Sequence, residues 1–131
     1  MNLFFFVAGL LLMLLSIAHA FWGERNVFKT LAQANLPAET YVSIYVPWHQ
    51  LTVVLFASAL SLLLAAFSPE LAALPYLVLV IVVGNFATFV FIGLQKSEAG
   101  IFRKATPQMV LFSALILLII AGILSARAVG V

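Results

Sequence analysis

The stretch LAALPYLVLVIVVGNFATFVFIGL, residues 71–94, contains no charged residue. A helix rises about 1.5 Å per residue, so about 20 apolar residues cross the hydrocarbon core of a bilayer, which is roughly 30 Å thick. Three more stretches of this kind occur at residues 3–22, 48–67 and 105–126. The sequence therefore predicts an all-α polytopic membrane protein, a single domain over residues 1–131 with four transmembrane helices in an antiparallel bundle.

The composition excludes a water-soluble globular protein. Hydrophobic residues make up 66% of the chain and charged residues 8%, whereas about a quarter of the residues of a soluble domain are charged. The formal net charge of +2 is too small to indicate nucleic-acid binding, so the expected partner is the lipid bilayer. The absence of cysteine excludes disulfides, thiolate metal sites and cysteine nucleophiles.

The segment Ala18-His19-Ala20 resembles the small-x-small site at which signal peptides are cleaved. Two features argue against removal of the first helix. The segment Met1-Asn2-Leu3 lacks the usual basic residues, and the apolar run is longer than that of a typical signal peptide. We therefore expect helix one to be retained in the membrane.

The first connection, residues 23–47, is long enough to hold structure of its own. Its apolar residues fall on one helical face at Val27, Phe28 and Leu31. This pattern predicts a short interfacial helix in the headgroup region. Proline is typical of a first helical turn, so helix two is expected to begin near Pro37 and to be interrupted or kinked at Pro47.

The two later connections are short. Ser68-Pro69-Glu70 and Thr106-Pro107-Gln108 are both typical of a helix N-cap followed by proline in the first turn. They predict that helices two and three, and helices three and four, are antiparallel neighbours.

The distribution of basic residues predicts the orientation, because Lys and Arg in short loops stay on the cytoplasmic side. Loops one and three contain Arg25, Lys29, Lys96, Arg103 and Lys104, whereas the opposite side contains Arg127. Both termini are therefore expected outside. The cytoplasmic aromatic belt is expected to consist of Trp22, Tyr41, Tyr45 and Trp48.

Four polar residues are predicted at similar depth inside the membrane: Ser58, Ser61, Asn85 and Ser113. One interpretation is an interhelical polar cluster that holds helices together by hydrogen bonds. The other is a path for a substrate or a proton. No ionisable residue is expected at that depth, which favours the first interpretation.

His19 and His49 are expected side by side at the cytoplasmic boundary, near Glu24. Two imidazoles and a carboxylate are suitable ligands for a divalent metal, and two histidines can hold a haem. The alternative is a structural role, in which hydrogen bonds tie the first loop to the bundle and the same boundary serves as a docking surface. The docking residues on that interpretation are Trp22, Arg25 and Trp48.

The string AHAFWGERNVFKTL, followed by VPWHQLT, is similar to a family of small, uncharacterised four-helix bacterial membrane proteins. The shared pattern lies at His19, Gly23, Glu24, Arg25, Leu31, Trp48 and His49. It covers about a third of the chain and departs from the family at Asn26, Val27 and Phe28, where a longer basic stretch is expected. The resemblance implies a bacterial inner-membrane protein and carries no activity. In such a membrane the distribution of basic residues predicts both termini on the periplasmic side.

Three functions are compatible with these features. The first is a non-catalytic accessory or assembly subunit that packs against a larger membrane complex, with an apolar patch at Phe86, Phe89 and Val90. The second is a redox or sensory protein that binds haem or a divalent metal through His19 and His49. The third is a small oligomeric transporter or channel built around Asn85. An enzyme is the least supported reading, because Cys and Asp are absent and all four Glu residues are expected at the interfaces.

Overall fold

The computed structural model describes residues 1–95 and 99–128, and the regular elements in that part of the chain are all helical. The elements are α1 (Leu3–Trp22), a π-helical segment (Gly23–Phe28), α2 (Lys29–Gln33), α3 (Ala38–Phe67), a 3₁₀ turn (Pro69–Leu71), α4 (Leu74–Gln95), α5 (Ala99–Lys104) and α6 (Thr106–Ala128). Four helical stretches are long and apolar enough to cross a membrane: Leu3–Gln33, Ala38–Phe67, Leu74–Gln95 and Thr106–Ala128. The prediction of four membrane-spanning helices is confirmed at this level.

The first connection does not contain a separate helix. Instead α1 continues through the π-helical segment into α2, as one helical stretch of 31 residues. Polar side chains bond back along the helix here: Asn26 Nδ2 donates to the Trp22 carbonyl (3.1 Å) and Thr30 Oγ1 to the Asn26 carbonyl (2.7 Å). The stretch ends just before Asn35, whose φ of 47° is a left-handed conformation that asparagine tolerates. An interfacial helix with its own start is therefore not confirmed.

Helix α3 begins directly after Pro37, as predicted, since the Pro37 carbonyl accepts a hydrogen bond from the Tyr41 N–H (3.0 Å). It then runs through Pro47 without interruption. Proline lacks the N–H that would bond to Ser43, and Ser43 and Pro47 are both exposed. The unpaired carbonyl therefore lies where it is not buried by the chain. The predicted interruption at Pro47 is wrong, and a kink there stays a prediction.

The later connections differ in detail from the predicted caps. Pro69 opens a 3₁₀ turn, and α4 begins only at Leu74, three residues later than predicted. Thr106 does not act as an N-cap, because its hydroxyl donates to the carbonyls of Phe102 (3.0 Å) and Arg103 (3.1 Å) in α5. The basic residue Lys96, counted above for orientation, lies outside the described residues.

The core is built around the packing of α1 against α3, with α6 packed on α1 and α4. Gly9 permits a close approach of α1 to α3, since a Cβ there would lie 2.8 Å from Leu63 Cγ and 3.2 Å from the Ala59 carbonyl oxygen. The largest fully buried apolar side chains are Leu12, Leu62, Val78, Val82, Leu115 and Ile119. The bundle is therefore held by small residues at the helix contacts and aliphatic side chains between them.

Asn2 connects three helices at one end of the bundle. Its Oδ1 caps α1 by accepting from the N–H groups of Phe4 and Phe5. Its Nδ2 donates to the Gly122 carbonyl in α6 (2.8 Å), and its backbone N–H donates to the Ala66 carbonyl at the end of α3 (2.8 Å). One residue thus satisfies orphan groups of α1 with its side chain and fixes the start of α1 against α6 and, through its backbone, against α3.

Candidate functional site

A cluster of rings and polar side chains forms where α1 and the π-helical segment pack against the first half of α3. We call it the aromatic cluster; its members are His19, Trp22, Glu24, Phe28, Tyr41, Tyr45, Trp48, His49 and Thr52. Phe28 lies at its centre and is 2% exposed. The ring centroids of Tyr45, Trp48, His49 and Tyr41 lie 4.7, 5.7, 5.8 and 6.2 Å from that of Phe28.

The His19 ring is fixed from two sides. It stacks on Trp48 with ring centroids 4.1 Å apart and planes 12° apart. Its Nδ1 lies 2.9 Å from Thr52 Oγ1, and the Thr52 hydroxyl donates to the Trp48 carbonyl (3.2 Å). The one proton of the Thr52 hydroxyl can point to either group, and the tautomer of His19 decides which. The Trp48 indole N–H in turn donates to the His19 carbonyl (3.3 Å).

Glu24 joins the π-helical segment to α3. Its Oε1 accepts hydrogen bonds from the Tyr45 hydroxyl (2.7 Å) and from His49 Nε2 (3.1 Å). The His49 and Glu24 side chains are 34% and 49% exposed, and ion pairs at such positions contribute little to stability. The contribution of this pair is therefore mainly to fix the relative position of the two elements.

Gly23 allows the two elements to approach closely at the cluster. It is buried, and a Cβ at this position would lie 2.6 Å from Cε2 of Trp48. Any side chain would push the Trp48 ring away from its stacking partner His19. The glycine is therefore required by packing, since its φ of −55° is open to every residue.

The structure brings Glu24 and His49 together and attaches His19 to Trp48 and Thr52 instead. Within residues 1–95 and 99–128, no group of three or more His, Cys, Asp or Glu side chains is placed to hold a metal ion. The haem or metal site at His19, His49 and Glu24 stays a prediction. What the geometry supports directly is a hydrogen-bonded connection between the extension of α1 and α3.

The residues predicted to form a docking surface differ in exposure. Trp22 is 56% exposed and lies 6.0 Å from Trp48, measured between ring centroids. Arg25 is also exposed, whereas Trp48 is half-buried and occupied by contacts within the chain. A docking role for these three residues stays a prediction.

The four polar residues predicted inside the membrane are not joined to one another by hydrogen bonds in the described part of the chain. Ser61 donates to the Ala57 carbonyl (2.9 Å) and Asn85 to the Ile81 carbonyl (2.9 Å), each within its own helix. Ser58 is buried and Ser113 is exposed. Their role as an interhelical cluster stays a prediction.

The phenylalanines of the predicted apolar patch on α4 pack within the chain. Phe86 stacks on Phe112 of α6, and Phe89 meets Phe102 of α5 edge to face, both at 6.2 Å between centroids. A different face of α4 is exposed. It includes Val80 (69% exposed), Gly84, Ala87 and Phe91 (61% exposed).

Gly84 differs from the other glycines of the membrane-spanning helices. A Cβ at Gly9, Gly93 or Gly122 would collide with Leu63, Phe102 or Phe5 respectively. At Gly84, apart from its two chain neighbours and the nearby backbone of α4 itself, no atom of the described chain lies within 4 Å of the Cβ position. The backbone of α4 is therefore open to the outside at this point.

The sequence interpretation missed Thr52 as the partner of His19 and Tyr45 as the partner of Glu24. A signal was present, because Tyr41, Tyr45, Trp48 and Thr52 follow one another at spacings of three and four residues. Such spacing places them on one face of a helix. Because a break in the helix was predicted at Pro47, this continuous face was not predicted.

Comparisons with protein-family models, with curated proteins and with solved structures gave no match. A candidate function therefore depends on the geometry of the chain itself. Two features of that geometry are relevant to function: the aromatic cluster, and the exposed face of α4 around Gly84.

Proposed function

We propose that this small integral membrane protein is a non-catalytic accessory or assembly subunit that packs against a larger membrane complex through α4. The observation that carries the proposal is the open backbone at Gly84. Thr88 lies one helical turn further along and is also exposed. A glycine and a threonine four residues apart form the small-residue pattern by which transmembrane helices approach each other closely.

Gly84 contrasts with the other glycines of the membrane-spanning helices. Glycine inside a helix is less favourable than alanine by about 1 kcal/mol. Gly9, Gly93 and Gly122 each provide space for a side chain of the same chain, which accounts for them. Nothing within the described chain uses the space at Gly84, so we assign it to a helix of a partner protein.

The aromatic cluster supports a structural function. The Glu24 carboxylate is hydrogen-bonded to Tyr45 and His49. The Nδ1 of His19 is hydrogen-bonded to Thr52. Throughout the described residues, every buried side-chain nitrogen and oxygen has a hydrogen-bond partner. The groups with acid–base chemistry are thus engaged with each other, as expected of a connection that positions α1 against α3.

For the membrane arrangement we propose an antiparallel bundle in the inner membrane of a bacterium, with both termini periplasmic. Contacts at two ends support opposite directions for α1 and α3: Asn2 meets Ala66 at one end, and His19 meets Thr52 at the other. The extension of α1 beyond Trp22 carries Arg25 and Lys29. On this proposal these two residues lie in the cytoplasmic headgroup region.

The test is extraction of the full chain from its native membranes in a mild detergent, followed by native mass spectrometry. We expect the wild-type chain in a complex with another membrane protein. Gly84→Leu is expected to lose that partner, because a bulky side chain would hold the partner helix away. Ala57→Leu, which enlarges an exposed small residue on α3, is the control and is expected to keep it.

The same experiment separates the alternatives. A lone monomer, or a complex that survives Gly84→Leu, would contradict the accessory proposal. A complex of identical copies only would contradict it and favour the oligomeric transporter or channel. A Soret band or stoichiometric metal that disappears in His19→Ala would favour the haem- or metal-binding function.

A further inference from the structure

A groove runs along the surface where α1 and α3 meet, next to the aromatic cluster. Its walls are Ile17, Ala20 and Phe21 from α1, and Val53 and Phe56 from α3. Its volume is about 300 Å³, at the lower end of the range for small-molecule sites. The groove therefore has room for a slender ligand.

The chemistry of the groove is that of a hydrocarbon surface. Two hydroxyl groups, those of Ser16 and Thr52, belong to residues of its lining. Ser16 Oγ donates to the Met13 carbonyl (2.8 Å), and Thr52 is bonded to the Trp48 carbonyl and to His19. Because both hydroxyls are already engaged, the groove offers apolar contacts, which suits an acyl chain.

One end of the groove is positively charged. Arg25 follows Phe21 by four residues and Lys29 follows Arg25 by four, and both are exposed. A π-helical turn takes slightly more than four residues, so both cations lie beyond the groove on nearly the same side of the helix as Phe21. The neighbouring carboxylate of Glu24 is bonded to Tyr45 and His49 of α3.

The geometry points to a binding site for one anionic phospholipid of the surrounding bilayer, with an acyl chain in the α1–α3 groove and the headgroup phosphate at Arg25 and Lys29. Guanidinium and ammonium groups are the usual donors to phosphate oxygens. Arg25 and Lys29 exceed the neighbouring Glu24 carboxylate by one positive charge, which favours an anionic lipid over a zwitterionic one. The site involves α1 and α3 and does not depend on the proposed docking through α4.

The two tryptophans of the chain, Trp22 and Trp48, make the site directly observable. Trp22 is adjacent to Phe21, and Trp48 lies one turn from Thr52, so both indoles lie at the charged end. The full chain is reconstituted in phosphatidylcholine bilayers that contain increasing amounts of phosphatidylglycerol with brominated acyl chains, which quench tryptophan fluorescence on contact. We expect phosphatidylglycerol to bind more tightly than brominated phosphatidylcholine. The ratio of the two binding constants should rise above one by a factor of about five for each of the two cations.

Two double variants test the headgroup contact. Arg25→Gln with Lys29→Gln is expected to bring the relative binding constant to about one. Arg103→Gln with Lys104→Gln changes the net charge equally at exposed positions on α5 and is expected to leave it unchanged. Ala20→Leu and Val53→Phe fill the groove and are each expected to lower quenching by the anionic lipid, with helicity checked by circular dichroism.

Three results would overturn the inference. The first is equal quenching by the two lipids in the wild-type chain. The second is an equal loss of preference in both double variants, which would indicate general attraction of the membrane surface charge. The third is a dimer in native mass spectra together with weak quenching by either lipid, which would assign the groove to a second copy.

Discussion

Replacing Phe28 with alanine is expected to destabilise the aromatic cluster more than any other single change to it. Phe28 is 2% exposed, and truncation of a buried phenylalanine to alanine costs about 3–5 kcal/mol. We expect about 3 kcal/mol, because the unfolded chain still keeps this side chain partly in the headgroup region. Phe28→Leu keeps most of the apolar volume but loses the aromatic pairs, each of which contributes about 0.5–1.5 kcal/mol; about 1.5 kcal/mol is expected.

The assay is equilibrium unfolding in mixed micelles by titration with sodium dodecyl sulfate, followed by tryptophan fluorescence and circular dichroism. Trp48 reports on the cluster directly, since its ring centroid lies 5.7 Å from that of Phe28. Phe21→Ala is the matched control, because Phe21 is 63% exposed and its truncation removes few contacts within the chain. If Phe28→Ala lowers the free energy of unfolding no more than Phe21→Ala, the cluster does not hold α1 against α3.

Three further predictions use the same unfolding assay. Gly23→Ala is expected to destabilise the fold by about 1–3 kcal/mol through overpacking against Trp48. Gly84→Ala has open space at its Cβ position and should be neutral or stabilise the isolated chain by up to about 1 kcal/mol. Equal effects of the two variants would contradict the conclusion that packing within the chain requires Gly23 but not Gly84. Asn2→Ala should cost about 1–2 kcal/mol, because it removes an N-cap and the bond to α6, and an unchanged midpoint would show that neither contact matters. Tyr45→Phe removes one hydrogen bond to a half-exposed carboxylate and should cost about 0.5 kcal/mol; a loss above 2 kcal/mol would mean that the pair is shielded from solvent.

The spans were predictable because hydropathy and length alone define a transmembrane helix. Residues 3–22 and 48–67 lie within the observed helices Leu3–Gln33 and Ala38–Phe67. The extensions beyond the spans were not predicted. Proline and a polar composition are local signals of a break, whereas packing of α1 against α3 keeps both helices continuous outside the apolar segments.

The candidate site was predicted in part. The sequence singled out His19, Glu24 and His49, and the structure joins Glu24 to His49. It did not predict that His19 bonds to Thr52, because that contact depends on the relative rotation of two helices. Likewise the spacing of Gly84 and Thr88 indicates a helix contact, but only the packing around the other glycines shows that the chain leaves this one uncovered.

The unbroken stretch Leu3–Gln33 has a consequence for access to the molecule. Its 31 residues extend about 46 Å at 1.5 Å per residue, roughly 16 Å more than the hydrocarbon core is thick. The hairpin tip at Ala34–Pro37 is mostly exposed and would emerge past the lipid headgroups, within reach of antibodies and proteases. At the far end of α3, by contrast, only the short segment Ser68–Ala73 joins it to α4, and so few residues expose little surface to an antibody or a protease. Immunological or proteolytic mapping should therefore find the tip at Ala34–Pro37 more accessible than the segment Ser68–Ala73.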